Sequence, residues 1–281
     1  MKLYLDCYPC ILKQTLSVCR TLGIPVKLQK EIFASALEIM AATDPEKPPV
    51  ELTARVHTVI KQKAGIRDLY QEQKKISTTA ALSLYDQSRE TINASENPFR
   101  TAVKLAIAGN IIDFGVRDTY DLPAEIKRVL GEPFAIDHLD NLREDILRAE
   151  NILYLADNAG ETVFDRLLIE TIQKPVIYAV KEEPILNDAV MDDAIQAGLD
   201  QAATLISSGV DSPGTILARA SKPFIKTFQE ADVIISKGQG NFEALSGRSE
   251  NIYFLLQLKC EAISRSVGAP VGGLIVKSAQ I

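Results

Sequence analysis

The stretch Asn151-Ile152-Leu153-Tyr154-Leu155-Ala156-Asp157-Asn158-Ala159-Gly160-Glu161 decides the fold. A short apolar run rich in β-forming residues ends abruptly at a carboxylate, an amide, a glycine and a second carboxylate. Residues 162–173 follow with apolar side chains at helical spacing, so the pattern predicts a strand, a tight turn and a helix. Ligands of open α/β sheets bind outside the carboxyl ends of the strands. Asp157 and Asn158, which both carry side-chain oxygen atoms, are therefore candidate ligand-binding residues.

Strands and helices alternate from this stretch to the end of the sequence. This alternation is typical of βαβ units, and it predicts a mostly parallel sheet of about six strands with helices on both faces. The last strand is expected at an edge of the sheet. The predicted strands cover residues 151–156, 175–180, 203–206, 232–235, 251–256 and 274–277.

The first half of the sequence has the apolar spacing of helices and no strong strand pattern. Helices are predicted at residues 7–22, 26–42, 50–64 and 69–92, and the short loops between them favour an antiparallel bundle. We expect two domains, a helical bundle over residues 1–96 that caps the site and an α/β metal-binding catalytic domain over residues 97–281. Between residues 97 and 150 only short helices with irregular links are predicted.

Bulk composition restricts the class of protein. The 281 residues carry a formal net charge of −6, which disfavours a general nucleic-acid-binding or anionic membrane surface. No apolar run approaches the roughly 20 residues that cross a bilayer, and Asp6 interrupts any signal-peptide pattern at the start. Four cysteines in a chain of this length do not make a disulfide framework. These observations predict a cytoplasmic protein that binds neither nucleic acid nor membranes.

Polar groups follow four of the predicted strands, and the carboxyl ends of parallel strands meet at one edge of a sheet. Carboxylate and amide oxygens suit Mg²⁺ or Mn²⁺, while a lysine and backbone N–H groups at helix starts suit a phosphate. The composition is that of a metal-assisted phosphoryl site. The four segments are residues 157–161, Asn187-Asp188, Ser207-Ser208-Gly209 and residues 237–241, which begin at Lys237 and end at Asn241.

Each of these segments also has a purely structural interpretation. Asp157, Asn158 and Asp188 could cap helices, and Lys237 could be a solvated charge. Capping alone does not require polar ligand-type groups in all four loops, so the set favours a site. The sequence contains no Gly-x-x-x-x-Gly-Lys-[Ser/Thr] loop, no complete Gly-x-Gly-x-x-Gly fingerprint and no Gly-x-Ser-x-Gly elbow. A methyltransferase is disfavoured because no glycine-rich cofactor loop follows the first strand.

The cysteines form a separate feature. Cys7 and Cys10 make a Cys-x-x-Cys motif at a predicted helix start, where thiolates are stabilised. With the distant Cys260 they could form a second site that binds metal or carries out redox chemistry. Simple packing of the thiols is the alternative, and the sequence leaves these interpretations open.

Taken together, the motifs resemble the family long called domain of unknown function 89, whose members are regarded as metal-dependent damage-control phosphatases. The resemblance covers essentially the whole chain, and the Cys-x-x-Cys motif is similar to the microbial branch. The motifs that carry it are Asp6-Cys7-x-x-Cys10, Gly109-Asn110-x-x-Asp113, Asp157-Asn158-Ala159-Gly160-Glu161, Asn187-Asp188, Ser208-Gly209-x-Asp211-x-Pro213-Gly214 and Lys237-Gly238-Gln239-Gly240-Asn241-Phe242-Glu243.

The resemblance implies a helical bundle followed by a three-layer α/β/α domain whose last strand is antiparallel. It also implies a divalent metal, Mn²⁺, Co²⁺, Ni²⁺ or Mg²⁺, held by Asp157, Asn158 and Asp188. Lys237 matches the position expected to contact the phosphate. Glu161, Asn110, Asn241 and Ser208 match further positions near the site.

We therefore expect a hydrolase of small phosphate monoesters, such as sugar phosphates or related damaged metabolites. In this hypothesis a metal-activated water attacks, Lys237 stabilises developing charge, and Glu161 or Asp188 acts as the base. An aspartyl-phosphate mechanism through Asp157 stays open. The alternatives are a metal-dependent sensor or carrier of a phosphorylated metabolite and a thiol or metal-handling protein centred on Cys7 and Cys10.

Overall fold

The computed structural model describes residues 1–109 and 122–281. Helices account for the first part of the chain, where residues at helical spacing turn one face inward. Pro49 occupies the first turn of the third helix, where its missing N–H costs nothing, and Gly65 ends that helix in the left-handed conformation. The first six helices are α1 (Cys7–Thr21), α2 (Val26–Ala41), α3 (Pro49–Ala64), α4 (Gln71–Ser83), α5 (Tyr85–Ala94) and α6 (Pro98–Gly109).

Seven strands form one sheet in the order β1-β7-β6-β5-β2-β3-β4. Strands β4, β3, β2, β5 and β6 are parallel to one another, whereas β7 runs antiparallel to β6 and parallel to β1. The α/β fold with a mostly parallel sheet and an antiparallel last strand is therefore confirmed. The strands are β1 (Phe134–Asp137), β2 (Ile152–Leu155), β3 (Val176–Val180), β4 (Thr204–Ser207), β5 (Val233–Lys237), β6 (Ile252–Gln257) and β7 (Leu274–Ser278).

Helices cover both faces of the sheet. On β2, Ile152 and Tyr154 pack into one hydrophobic cluster, while Leu153 and Leu155 pack into another on the opposite face. This two-residue alternation places one cluster against α6 and α9 (Thr162–Ile172) and the other against α11 (Lys222–Glu230) and α12 (Gly238–Leu245). The remaining helices are α7 (Leu122–Gly131), α8 (Leu139–Arg148), α9 (Thr162–Ile172), α10 (Met191–Gln196), α11 (Lys222–Glu230), α12 (Gly238–Leu245) and α13 (Glu261–Val267).

A third hydrophobic cluster belongs to the N-terminal helices. It joins buried side chains of α1, α2 and α3 with Leu3, Ile24 and Leu69. Ala81 of α4 and Ile92 of α5 instead belong to the cluster that lies on the sheet. The division into residues 1–96 and 97–281 stays a prediction. In the described part of the chain no helix combines the length and the apolar composition that crossing a membrane requires.

Three details of the sequence prediction were wrong. Strand β1 was missed because only one of its four residues is buried, so it lacks the pattern of a core strand. The helix predicted over residues 69–92 is divided into α4 and α5, since the N–H of Leu84 donates to Ala81 O, three residues back, instead of continuing the helical ladder. The last strand is not at the edge, because β1 pairs with its outer side. Its continuous buried run Leu274-Ile275-Val276 suits that interior position.

Candidate active site

The turn after β2 brings together the three residues predicted to bind metal. A 3-10 turn, Ala159–Glu161, follows Asn158 directly, and the N–H of Ala159 donates to Asn187 O at 2.8 Å. Asn158 and Asp188 form an isolated antiparallel bridge. The Nδ2 atom of Asn158 lies 3.4 Å from Oδ2 of Asp157. Asp157, Asn158 and Asp188 are therefore adjacent although thirty residues separate the two segments.

The carboxylate of Asp188 has an unsatisfied oxygen. Asp188 is buried, and its Oδ2 atom makes no hydrogen bond within the described part of the chain. Lys181 forms an ion pair with this carboxylate, and its Nζ lies 3.6 Å from Oδ2. Burial raises the pKa of Asp188 well above its usual range, Lys181 opposes that shift, and the neighbouring Asp157 adds to it. A buried carboxylate in this condition fits a divalent cation, which would replace the lost hydration with direct oxygen coordination.

The residue at position 238, where α12 begins, must be a glycine because it lies against Asp157. Its φ of +77° belongs to the left-handed region, and a Cβ atom added there would collide with the carboxylate of Asp157. The N-terminus of α12 thus approaches the carboxylate more closely than any other residue would allow. This approach explains why a glycine must follow Lys237 directly.

Lys237 is completely buried beneath this turn. Its Nζ atom donates to Glu161 Oε1 and Asp165 Oδ1, both at 2.6 Å, and to Ala106 O at 2.8 Å. The other oxygen of Glu161, Oε2, accepts the N–H of Asn158 at 3.1 Å. Burial alone would lower the pKa of Lys237, but the carboxylates of Asp165 and Glu161 raise it above its usual value. Lys237 is thus linked through Glu161 to the backbone of Asn158.

Asp165 completes this charged cluster. Tyr154 OH donates to its Oδ1 at 2.6 Å, and Tyr178 OH donates to its Oδ2 at 2.8 Å. The two tyrosines are direct partners in the register of β2 and β3, so both rings lie on the face covered by α9. Asp165 and Glu161 are four residues apart, which places both carboxylates on one side of the chain to meet Lys237.

Both polar atoms of the Asn241 side-chain amide form hydrogen bonds within the protein. Its Nδ2 atom donates to Ala156 O at 3.0 Å and to Lys237 O at 2.8 Å, while its Oδ1 accepts the hydroxyl of Thr215 at 2.8 Å. The side chain is fully buried. These contacts hold the ends of β2 and β5 together. A direct contact of Asn241 with a phosphate stays a prediction.

Ser208 and Asn110 are the two remaining residues predicted to lie near the site. Ser208 follows β4, where its hydroxyl donates to Val180 O at 2.8 Å, directly before Lys181. It is therefore on the same edge of the sheet, beside β3. Asn110 lies outside the described residues, as does Asp113.

Comparison with known proteins identifies the family. A family model described as the damage-control phosphatase ARMT1-like domain matches residues 3–275. The chain belongs to this damage-control phosphatase family. A damage-control phosphatase from Pyrococcus horikoshii, PH1575, is 36% identical over 98% of this chain and 97% of its own length. Another, from Archaeoglobus fulgidus, is 31% identical over 99% of each chain. These relatives confirm the resemblance to the family, whereas the likeness of the Cys-x-x-Cys motif to the microbial branch stays a prediction.

The fold is also that of a solved family member. The crystal structure of PH1575, a DUF89 family protein, matches with a TM-score of 0.91 and 34% identity over 99% of both chains. The architecture of the sheet and its helices is therefore shared across almost the whole length of the two proteins.

Two buried charges of this damage-control phosphatase domain were missed by sequence reasoning. Lys181 directly follows an apolar strand, the same placement that marked Lys237 as a candidate. Asp165 is buried in a mostly apolar helix four residues after Glu161, and that spacing could have identified it. The four buried carboxyl groups around the turn outnumber the two buried lysines, so the cluster favours a bound cation.

Cys7 and Cys260 lie near residues of α12, and the described residues form no recognisable thiol metal centre. Cys7 begins α1 as predicted, and Gln239 Nε2 lies 3.7 Å from Cys260 Sγ. Burial raises the pKa of Cys7 to about 11, with smaller contributions from Glu243, Cys260 and Cys10. Among residues 1–109 and 122–281, no three His, Cys, Asp or Glu side chains are arranged to hold a metal ion. The predicted metal triad has only two carboxylates because its third member is an amide, and the thiol site stays a prediction.

Proposed function

We propose that this chain is a metal-dependent phosphatase that hydrolyses small phosphate monoesters. The observation that carries the proposal is the buried Oδ2 atom of Asp188 beside Asp157 and Asn158, which makes no hydrogen bond within the described residues. Membership of the damage-control phosphatase family supports the reaction class. In this proposal Asp157, Asn158 and Asp188 hold the cation. The cation is Mn²⁺, Co²⁺, Ni²⁺ or Mg²⁺, and when bound it would supply Lewis-acid catalysis to the phosphoryl group.

The surrounding residues keep the three ligands in place. Glu161 accepts the N–H of Asn158, and Lys237 holds Glu161 through a buried ion pair. Because both oxygens of Glu161 have these partners, its contacts support a positioning role more directly than a role as general base. Gly238 lets the start of α12 approach Asp157. Rigid support of this kind is what a site needs to stabilise charge in a transition state.

The proposed substrate class is inferred from the charge of the groups at the site. A phosphate monoester supplies the anionic oxygens that a divalent cation and a lysine bind. We propose sugar phosphates or related, damaged metabolites as substrates. The predicted helical cap, residues 1–96, would select the leaving group. Lys61 of α3 donates to Pro184 O at 2.9 Å, which connects a helix of that cap to the loop that carries Asp188.

Phosphate release tests the proposal. Metal-stripped protein is supplied separately with Mn²⁺, Co²⁺, Ni²⁺ and Mg²⁺ and incubated with a panel of phosphate monoesters. We expect metal-dependent release by the wild type and its loss in Asp157→Ala and Asp188→Asn. Asp200→Ala is the matched control, because Asp200 is an exposed aspartate outside the site.

Thermal unfolding with and without Mn²⁺ accompanies these assays. A folded Asp157→Ala protein that Mn²⁺ no longer stabilises would support the assigned ligand set. Undiminished hydrolysis by purified, folded Asp157→Ala would contradict the proposal. Metal binding by the wild type without release from any ester would favour a metal-dependent sensor or carrier instead.

A further inference from the structure

Lys237, the lysine that the sequence motif marks for phosphate binding, has no hydrogen-bond donor to spare. An ammonium group has three N–H donors. In Lys237 these donors meet three acceptors, on Glu161, Asp165 and Ala106, and the side chain is 0% exposed. A phosphate oxygen could bind Nζ only by displacing a carboxylate or a carbonyl oxygen from this buried cluster.

Lys181, in contrast to Lys237, lacks hydrogen-bond acceptors for its ammonium group within the described residues. Its side chain is only 2% exposed, yet in the described part of the chain its one polar partner is Asp188 Oδ2 at 3.6 Å. That distance is longer than a hydrogen bond between nitrogen and oxygen. Burying a lysine beside a single distant carboxylate is costly unless a further partner binds it. The ammonium group of Lys181 therefore has donors available for an anion.

Backbone hydrogen bonds fix Lys181 next to the predicted metal ligands. Its N–H donates to Ala189 O at 2.9 Å, and the N–H of Ala189 donates in turn to Asp157 O at 2.7 Å. Lys181 and Val190 also form an isolated parallel bridge. Lys181 is thus held between the segment that contains Asp188 and the end of β3.

The predicted phosphate-binding serine lies on the other side of Lys181. Both the N–H and the hydroxyl of Ser208 donate to Val180 O, at 2.9 and 2.8 Å. Val180 immediately precedes Lys181. Lys181 is therefore flanked by a predicted metal ligand, Asp188, and by a residue predicted to contact the phosphate.

We propose that Lys181 is the lysine that binds the phosphoryl oxygens of the substrate, while Lys237 positions Glu161. This assignment rests on the proposed function, because it places the substrate at the cation held by Asp157, Asn158 and Asp188. An anion bound to that cation beside Asp188 would find the donors of Lys181 unfilled, and charge-assisted hydrogen bonds of this kind are strong.

The experiment measures the binding of inorganic phosphate to Mn²⁺-loaded protein by calorimetry. Lys181→Met, which removes the charge but keeps most of the volume, should weaken phosphate binding at least tenfold. Lys181→Arg should retain part of the affinity because it keeps the charge. Both variants should still be stabilised by Mn²⁺ against heat, since no predicted metal ligand is removed.

Lys104→Met is the matched control. Lys104 is also a buried lysine, but it donates to the carbonyl oxygens of Leu130 and Glu132 and lies in α6. This variant should bind phosphate as the wild type does, so any general effect of deleting a buried lysine is separated from the specific one.

Phosphate binding by Lys181→Met with wild-type affinity would overturn the assignment. If the wild type bound phosphate but hydrolysed no ester, the proposed function would be wrong, and the same titration would still decide the role of Lys181. If the wild type bound Mn²⁺ but no phosphate, the assignment of Lys181 would be wrong as well.

Discussion

The Nζ atom of Lys237 lies 2.6 Å from Oε1 of Glu161, and neither side chain is exposed to solvent. The other oxygen of Glu161 accepts the N–H of Asn158, so the lysine is linked through a carboxylate to the turn that carries the predicted metal ligands. Removing one member of a buried ion pair leaves an uncompensated charge, which costs more than the pair itself contributes. Lys237 should therefore be required for stability as well as for the geometry of the turn.

Lys237→Met should lower the free energy of unfolding by about 3–5 kcal/mol, because Glu161 and Asp165 then lose their shared buried cation. Urea unfolding of the metal-free proteins measures this change. Adding Asp165→Asn to Lys237→Met should recover part of the loss, since one buried negative charge is removed with the positive one.

Lys226→Met is the control for this series. Lys226 pairs with Glu230 across one helical turn at 3.8 Å, and both side chains are mostly exposed. An exposed pair of this kind contributes little, so the variant should unfold at the same urea concentration as the wild type. A Lys237→Met protein as stable as Lys226→Met would show that the buried cluster does not need its lysine.

The main sheet could be predicted from the sequence because polar or glycine-containing segments mark where its strands end. The apolar runs before Asp157, Ser207 and Lys237 end at polar or glycine-containing segments, and each is a strand in the structure. Strand β1 offered no such signal, because four residues with a single buried phenylalanine are equally compatible with a loop. The place of β7 between β1 and β6 could not be inferred, since pairing partners depend on the tertiary fold and not on local pattern.

The proximity of the predicted metal ligands could also be inferred, because parallel strands end at one edge. The sequence could not show which partners each lysine has in the folded protein. Lys237 and Lys181 look alike as lysines at the carboxyl ends of apolar strands. Among the described residues, Lys237 has three hydrogen-bond partners and Lys181 has one long ion pair. That difference depends on Asp165 and Ala106, which reach Lys237 from helices far away in sequence.

Gly238→Ala should disrupt the proposed metal site because the new methyl group would collide with the carboxylate of Asp157. We expect loss of the stabilisation by Mn²⁺, measured as the shift in melting temperature on adding the metal. Gly268→Ala is a matched control, since Gly268 has a φ of +79° and no atom within 4 Å of the added Cβ. It should show only the backbone strain, about 1 kcal/mol, and keep its response to Mn²⁺. Equal responses of the two variants to Mn²⁺ would contradict the predicted role of Asp157.

Asn241→Ala should lower the free energy of unfolding by about 2–4 kcal/mol, because it leaves the carbonyls of Ala156 and Lys237 and the hydroxyl of Thr215 without their partner. Thr215→Val removes the hydroxyl that donates to Asn241 Oδ1. A double-mutant cycle of the two changes, measured by urea unfolding, should give a coupling energy of about 1 kcal/mol. A coupling energy near zero would mean that the hydrogen bond between these side chains does not contribute to stability.

His57 should make the fold less stable in mild acid. Its ring is buried, and neither nitrogen has a hydrogen-bond partner in the described part of the chain. Burial lowers the pKa of His57 from 6.5 to about 4, with a smaller contribution from Lys61. The unfolded chain therefore binds a proton between these pH values while the folded chain does not. The contribution of His57 to the free energy of unfolding is fully present above pH 6.5. As the pH falls from 6.5 towards 4, this contribution decreases by about 1.4 kcal/mol per pH unit.

His57→Leu should remove this component, because leucine keeps the apolar contacts around Tyr70 and has no group to titrate. Urea unfolding at pH 7.0, 5.5 and 4.5 measures the difference between the variant and the wild type, so that acid effects from carboxylates cancel. The difference should be small at pH 7 and should grow in favour of the variant as the pH falls. Parallel stability curves for the two proteins would show that His57 takes up its proton in the folded state as readily as in the unfolded chain.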